Sequence, residues 1–193
     1  MANEGHMKKL AELHERIQAI RAEIREVQAS RPPEAVSNYT FASNDGDVTL
    51  DELFGGHDTL FVIHNMGRGC TYCTLWADGF NGVIDHLENR ASFVVSSPDD
   101  PETQASFADS RGWRFKMVSN KNTSFAEDMG FAGLEDGAVA PGVSVFKKDG
   151  DQILRVSDAP FGPGDDFCSV WHFFDLIPQG ADGWQPRYEY DAA

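Results

Sequence analysis

The sequence predicts a three-layer α/β/α fold with a mixed central sheet, preceded by an amphipathic helix. Apolar strand-like runs alternate with helical patterns between residues 59 and 129, an order typical of parallel β-α-β pairing. Two further strand-like segments then flank a short turn containing Gly150, which predicts an antiparallel hairpin at the end of the sheet. The chain has 193 residues, a length that suits one domain with an appendage.

The N-terminal segment 8–29 is predicted to be a single helix with a heptad pattern. Its apolar residues recur at alternating spacings of three and four, at Leu10, Leu13, Ile17, Ile20, Ile24 and Val27. Charged residues flank them, and Pro32 and Pro33 end the pattern. Such a helix suits three arrangements: it lies on its own domain, it pairs with a second copy in a homodimer, or it binds a partner protein.

The elements that follow are predicted in chain order. Residues 38–54 suggest a short hairpin, with its turn at Asn44-Asp45-Gly46, and then a helical turn. Strands are expected at 59–64, 92–96 and 114–118, helices at 71–89, 101–110 and 124–129, the closing hairpin around Asp149-Gly150-Asp151, and a last helix at 165–176. This layout is typical of a thioredoxin-like fold. It divides the chain into an N-terminal helical arm (1–33), a thioredoxin-like domain (34–180) and a C-terminal tail (181–193).

Composition excludes several classes of function. The chain has 31 acidic and 16 basic side chains, a formal net charge of −15, so phosphate-driven binding of nucleic acid and attraction to anionic membranes are both unfavourable. No apolar run approaches the ~20 residues of a membrane span. The charged N-terminus lacks the apolar middle of a signal peptide, and three cysteines is an odd number for a disulfide framework. We therefore expect a cytoplasmic protein with reduced thiols.

The candidate site is the pair Cys70 and Cys73, which follows a buried strand at the start of a helix. Free N–H groups and the helix dipole at that position favour a thiolate on Cys70, and the positive charge of Arg68 adds to the effect. Cys73, one turn later, is placed to resolve a mixed disulfide. A redox dithiol is the leading interpretation; half of a zinc site and two structural cysteines are the alternatives. The sequence has no second CxxC and no HxxxH, so neither a metal nor a cofactor is expected.

Two neighbours of the pair are expected to support it. Pro141 stands directly before a strand, where thioredoxin-like folds place a cis-proline opposite the cysteines, and it would expose backbone groups near Ala140 to a substrate chain. The alternative is a trans proline that opens the strand. His64, at the end of the first central strand, is either a base or ligand near Cys70 or a hydrogen-bonded histidine lining the site.

Three more residues, Trp76, Asp78 and Cys168, are candidates for a role in or near the site. Trp76 lies one turn after Cys73 on what is mostly a core face of the helix. Asp78 is either a carboxylate that shuttles a proton to Cys73 or a solvated or capping carboxylate. Cys168, in an apolar helical segment, is expected to be a buried thiol.

The stretch Gly69-Cys70-x-x-Cys73-x-x-Trp76-x-Asp78-x-Phe80-Asn81-Gly82 resembles the DUF899 family of thioredoxin-like proteins, described as predicted dithiol-disulfide oxidoreductases. Further matches follow in order: Gly112-Trp113-Arg114-Phe115, Val118-Ser119, Phe125, Asp128, Pro141-Gly142-Val143-Ser144-Val145-Phe146 and Asp175-Leu176-x-Pro178-x-Gly180. The resemblance covers about residues 38–180 and implies a thioredoxin-like fold with a helical lead-in. The family usually has a longer loop before the first cysteine and a proline inside the pair. Here that loop is short and the pair encloses Thr71-Tyr72, so the family's substrate preference is not carried over.

These observations favour a thiol-disulfide oxidoreductase with Cys70 as nucleophile and Cys73 as resolving thiol. Its substrate would be a protein or small-molecule disulfide or thiol. A peroxiredoxin-like thiol peroxidase is the first alternative, although Gly67 stands where the peroxiredoxin pattern Pro-x-x-x-Thr-x-x-Cys has threonine. The second alternative is a non-enzymatic thioredoxin-like binding module, dimeric through residues 8–29, with a metal-binding or inert cysteine pair.

Overall fold

The computed structural model describes residues 2–190. The elements, in chain order, are α1 (Ala2–Ser30), β1 (Glu34–Val36), β2 (Thr40–Ser43), β3 (Gly46–Thr49), β4 (Thr59–His64), α2 (Thr71–Arg90), β5 (Ser92–Ser97), α3 (Pro101–Arg111), β6 (Lys116–Ser119), α4 (Phe125–Asp128), β7 (Gly142–Asp149), β8 (Gln152–Pro160) and α5 (Ser169–Phe174). Two 3₁₀ turns, Glu52–Phe54 and Glu135–Gly137, complete the set.

The strands form one mixed sheet in the order β1-β8-β7-β4-β5-β6-β2-β3. The β4-β5 and β5-β6 pairs are parallel, and the remaining pairs are antiparallel. Helices α2 and α3 are the crossovers of the parallel strands, as the alternation of strands and helices predicted. The thioredoxin-like architecture is therefore confirmed, with β4 next to the centre of the sheet.

Each face of the sheet carries its own apolar core. Strand β4 shows why: Leu60 and Val62 point into one cluster, with Phe54, Phe125 and Phe146, whereas Ile63 points into the other. The second cluster lies under α2 and contains Trp76, Phe80, Ile84, Phe93, Trp113, Phe115 and Trp171. Because both faces are covered, β4 is continuously apolar from Leu60 to Ile63 and does not alternate. This places the end of β4, and the cysteines after it, on a rigid support.

Two elements differ from the sequence-based expectation. Strand β1 was not predicted; it has three residues, too few for an alternating pattern, and pairs with β8 at the edge of the sheet. Helix α5 is shorter than the expected 165–176, because the Asp165 carboxylate accepts the N–H groups of Gly162, Phe167 and Cys168 and holds that segment as a turn. The helix then begins at Ser169.

Helix α1 extends outside both cores. Its apolar heptad residues are all exposed, so the arrangement in which this face lies on its own domain is wrong. A 2.6 Å ion pair between Arg21 and Asp166 ties the helix to the domain. Within residues 2–190, α1 is the longest helix, and neither it nor any other is long and apolar enough to span a membrane.

Candidate active site

The two predicted thiols meet at the N-terminus of α2. Cys70 is the N-cap residue, with extended backbone angles, and its Sγ accepts the N–H of Cys73 at 3.0 Å. The side chain of Cys70 is half-buried, whereas Cys73 is only 2% exposed. The Cys73 Sγ accepts the N–H of Met66 at 3.4 Å. One sulfur is therefore accessible and the other lies directly behind it.

Hydrogen bonding separates the acidities of the two thiols. Donation by the thiol of Cys73 favours the thiolate of Cys70 and is the largest cause of its lowered pKa. Partial burial raises the pKa of Cys70, whereas the N–H groups of Cys73 and Tyr72 lower it further. The resulting pKa of Cys70 is about 7. The favourable causes lie within the CxxC turn, and the predicted charge of Arg68 is not among them. The pKa of Cys73 is raised, because its proton is held by Cys70 and its sulfur is buried. Near neutral pH the pair is thus a Cys70 thiolate that accepts from a Cys73 thiol.

This arrangement predicts the pH profile of alkylation. Only the thiolate reacts, so the rate of Cys70 modification by iodoacetamide should rise with an inflection near pH 7, below the ordinary cysteine value of about 8.5. Cys73→Ala removes the thiol donor and should move the inflection to higher pH. Mass-spectrometric rates on both proteins measure the shift. Identical inflections in the two proteins would contradict the role given to the Cys73 thiol.

The short loop between β4 and α2 is held by a hydrogen bond at almost every step. The recorded bonds are Asn65 N–H to Ser96 C=O (2.9 Å), Gly67 N–H to Asn65 Oδ1 (2.8 Å), Arg68 N–H to Asp99 Oδ2 (2.7 Å) and Cys70 N–H to Gly67 C=O (3.1 Å). Gly67 has φ +98°, and a Cβ there would stand 3.0 Å from the Asp99 carboxylate. Asp99 therefore fixes the approach to Cys70, a role that the sequence did not indicate.

Tyr188 is a second residue that sequence reasoning missed. Its hydroxyl donates to the Arg68 carbonyl at 2.8 Å, and its ring packs edge-on against Phe107. Arg111 donates to the Tyr188 carbonyl at 2.7 Å. Burial, and to a smaller extent the nearby Cys70 and Cys73, raise the pKa of Tyr188, which keeps the hydroxyl protonated as a donor. Part of the segment expected to be a surface tail therefore contacts the active-site loop; an abundance of aromatic residues was its only sequence signal.

His64 is buried and neutral. Its Nε2 lies 2.9 Å from Ser144 Oγ, and its ring stacks on Phe131 with centroids 4.0 Å apart. Burial, with a smaller effect of the Arg155 charge, lowers the pKa of His64 to about 3. It lines a cavity of about 60 Å³ next to Met66, and its recorded polar contact is to Ser144 rather than to a cysteine. The geometry matches the hydrogen-bonded alternative rather than a base for Cys70.

Pro141 opens strand β7 through a trans peptide bond. None of the peptide bonds within residues 2–190 is cis, so the expectation of a cis-proline is wrong and the strand-opening alternative holds. The backbone here is already paired inside the protein: Ala140 N–H donates to Phe131 and Pro141 C=O accepts from Phe161, each at 2.9 Å. The bond from Phe161 continues the pairing of β7 with β8 by one residue, and the two bonds leave fewer free groups for a substrate chain than expected.

Trp76 and Asp78 both serve the packing of α2. Trp76 is 3% exposed in the core below the helix. Asp78 forms an ion pair with Arg111 and accepts the indole N–H of Trp113 at 2.8 Å. These recorded contacts tie α2 to the end of α3 and do not involve Cys73, which matches the structural interpretation of Asp78.

Cys168 is 5% exposed, and burial raises the pKa of its thiol, as expected of a buried cysteine. Within residues 2–190, no three or more His, Cys, Asp or Glu side chains are arranged to hold a metal ion.

Comparison with known proteins assigns the family. The profile of a family described as "Bacterial protein of unknown function (DUF899)" matches residues 1–190. The chain belongs to the DUF899 family. The resemblance seen in the sequence is thus confirmed, and the match extends over α1 as well. No curated protein matches the chain.

Several solved structures that are similar to this DUF899 protein are peroxiredoxins or peroxiredoxin-like proteins. A cysteine-to-serine mutant of Xanthomonas campestris peroxiredoxin Q has a TM-score of 0.54 at 16% identity, over 69% of this chain and 87% of that one. A peroxiredoxin-like protein from Aquifex aeolicus has a TM-score of 0.53 at 18% identity, over 66% and 74%. Reduced Prx3 from Vibrio vulnificus has a TM-score of 0.52 at 15% identity, over 70% and 89%. At these identities the likeness shows a shared fold.

Proposed function

We propose that this DUF899 protein is a thiol-disulfide oxidoreductase, with Cys70 as nucleophile and Cys73 as resolving thiol. One observation carries the proposal: the half-buried Cys70 sulfur sits at the N-cap of α2, where it accepts the N–H of the buried Cys73 at 3.0 Å and has a pKa of about 7. A thiol of such pKa combines a large thiolate fraction with good nucleophilicity near neutral pH.

The exchange proceeds in two steps. The Cys70 thiolate attacks one sulfur of a substrate disulfide, a Cys70–substrate bond forms, and the other substrate sulfur leaves as a thiolate that takes up a proton. Cys73 then loses its proton and attacks Cys70, which releases the second substrate thiol. The substrate gains two electrons and two protons, and the protein is left with a Cys70–Cys73 disulfide. The reverse sequence oxidises a dithiol substrate.

The proposed substrate is a protein or small-molecule disulfide or thiol. Arg68 lines a shallow, mostly polar pocket of about 340 Å³ with Thr103, Ser106 and Phe107, beside the active-site loop. We assign this pocket, together with the segment around Ala140 and Pro141, to contact the substrate. Since the dithiol state starts the exchange, the proposed compartment is the reducing cytoplasm.

A thiol peroxidase is the second candidate, favoured by the peroxiredoxins among the similar structures. In that reaction the Cys70 thiolate attacks a peroxide oxygen, an alcohol or water leaves, and Cys70 becomes a sulfenic acid. Cys73 then displaces water to form the same disulfide. Peroxide consumption that survives Cys73→Ser but not Cys70→Ser would favour this candidate.

A redox titration followed by differential alkylation tests the leading proposal. We expect the free thiols of Cys70 and Cys73 to be lost and regained together as a reversible disulfide, while Cys168 stays a thiol throughout because it is buried. Peptide mass spectrometry distinguishes the three cysteines. If no Cys70–Cys73 disulfide forms at any potential, the proposed thiol-disulfide oxidoreductase activity is refuted.

A further inference from the structure

The apolar seam of α1 is exposed in the part of the chain that the structure describes, residues 2–190. Its residues, Leu10, Leu13, Ile17, Ile20, Ile24 and Val27, are each between 37% and 70% exposed. Long helices gain most of their stability from packing an apolar face, and contiguous exposed apolar surface marks an interaction site. A helix of 29 residues with a bare seam over three heptads therefore needs a partner.

The chain's own domain does not supply that cover. Ala22, the half-buried residue of the described part of α1, lies five positions after Ile17 and two after Ile20, on the opposite side of the helix from both. Arg21, next to it, makes the 2.6 Å ion pair with Asp166. The domain therefore contacts α1 on the side opposite the seam, and the seam faces solvent.

We propose that the seam packs against the same seam of a second copy of this chain, with the two helices antiparallel about a two-fold axis. The seam runs from Leu10 to Val27, so its midpoint lies between positions 18 and 19. An antiparallel pair centred there matches apolar with apolar throughout: Leu10 with Val27, Leu13 with Ile24, and Ile17 with Ile20 of the second copy. Such self-complementarity is what a two-fold interface requires. This inference is independent of the proposed function.

Charge favours the antiparallel direction. In heptad terms Leu10, Ile17 and Ile24 are a positions, which makes Arg16 and Glu23 g positions and Arg21 an e position. A parallel pair in register places Arg16 opposite Arg21 of the second copy, twice. In the antiparallel pair, g positions lie opposite g positions. Arg16 of each copy therefore faces Glu23 of the other, which gives two attractive pairs. Like charges at these flanking positions select against the first arrangement.

The charge of the whole chain is also compatible with self-association at this place. Helix α1 carries five basic and five acidic side chains, so the entire net charge of −15 resides on the remaining residues. The arm is the neutral part of an acidic protein. Two copies can therefore meet through α1 without bringing their most strongly charged surfaces together.

The test is sedimentation equilibrium on the full chain in reducing buffer. We expect twice the chain mass for the unmodified protein and for Ala19→Glu, a control that adds one carboxylate per chain beside the seam. Ile17→Glu combined with Ile20→Glu places four carboxylates in the central layer and should give monomers. Because α1 lies outside both core clusters, circular dichroism should show a folded domain in every variant. A monomeric unmodified protein, or a dimer that persists in the double variant, would overturn the proposal.

Charge reversal tests the direction. Arg16→Glu should weaken the antiparallel dimer about tenfold, since two attractive pairs become repulsive, and adding Glu23→Arg should restore it. A parallel dimer predicts the opposite for the single change, because a glutamate at position 16 would then face Arg21. Tighter association of Arg16→Glu alone would therefore overturn the antiparallel arrangement.

Discussion

Cys70→Ser is expected to abolish disulfide exchange. The sulfur at the N-cap of α2 is the proposed nucleophile, and a serine hydroxyl at the same position is not ionised near neutral pH. The rate of reduction of a disulfide-linked fluorescent peptide, with dithiothreitol as electron donor, should fall by roughly 10³-fold or more. The N-cap hydrogen bond to Cys73 N–H is one that serine also makes, so the stability of the fold should change little.

Cys73→Ser separates the two steps of the exchange. Cys70 still attacks, but no thiol resolves the mixed disulfide, so a Cys70–peptide adduct should accumulate and appear as a mass increase of one peptide. Cys168→Ser is the matched control: it removes the remaining cysteine, which is buried, and should leave the exchange rate unchanged. Full exchange by Cys70→Ser, or loss of exchange in the Cys168 control, would refute the assignment of the pair.

The central part of the fold and the position of the thiols were predictable because the causes are local in sequence. Strand β4 is continuously apolar from Leu60 to Ile63 and Cys70 follows it at a helix start, so the N-cap position of the sulfur could be derived from neighbours within a few residues. The seam of α1 was equally readable, since a heptad pattern is a property of one helix. The exposure of the seam could not be predicted, because it depends on which surfaces the rest of the chain covers.

The parts that could not be predicted depend on contacts between distant residues. Asp99 reaches the active-site loop from the end of β5, and Tyr188 reaches the same loop from the C-terminal segment, 120 residues away from Arg68. An aspartate after a strand and a tyrosine in a polar tail carry no local signal of either contact. The cis-proline was an analogy with the fold class, and the pairing of Ala140 and Pro141 with Phe131 and Phe161 shows what this chain does instead.

The same contacts around Pro141 predict a large stability effect at Gly142. A Cβ on Gly142 would overlap the ring of Phe131 and stand 2.6 Å from the Ala159 carbonyl oxygen. Neither neighbour can yield easily, since Phe131 is stacked on His64 and Ala159 belongs to β8, paired with β7. Gly142→Ala should therefore lower the free energy of unfolding by about 3 kcal/mol. In a chain of this size that is a loss of roughly 6–12 °C in Tm.

Gly79→Ala is the matched control for that measurement. Gly79 lies on the exposed side of α2, and a Cβ there meets nothing within 4 Å. The same substitution should raise the free energy of unfolding by about 0.5–1 kcal/mol, because alanine is the better helix former. Urea unfolding of both variants in reducing buffer therefore compares one chemical change with opposite expected signs. If Gly142→Ala unfolds at the same urea concentration as the unmodified protein, the close packing of Phe131 over the start of β7 is wrong, and with it the support described for His64.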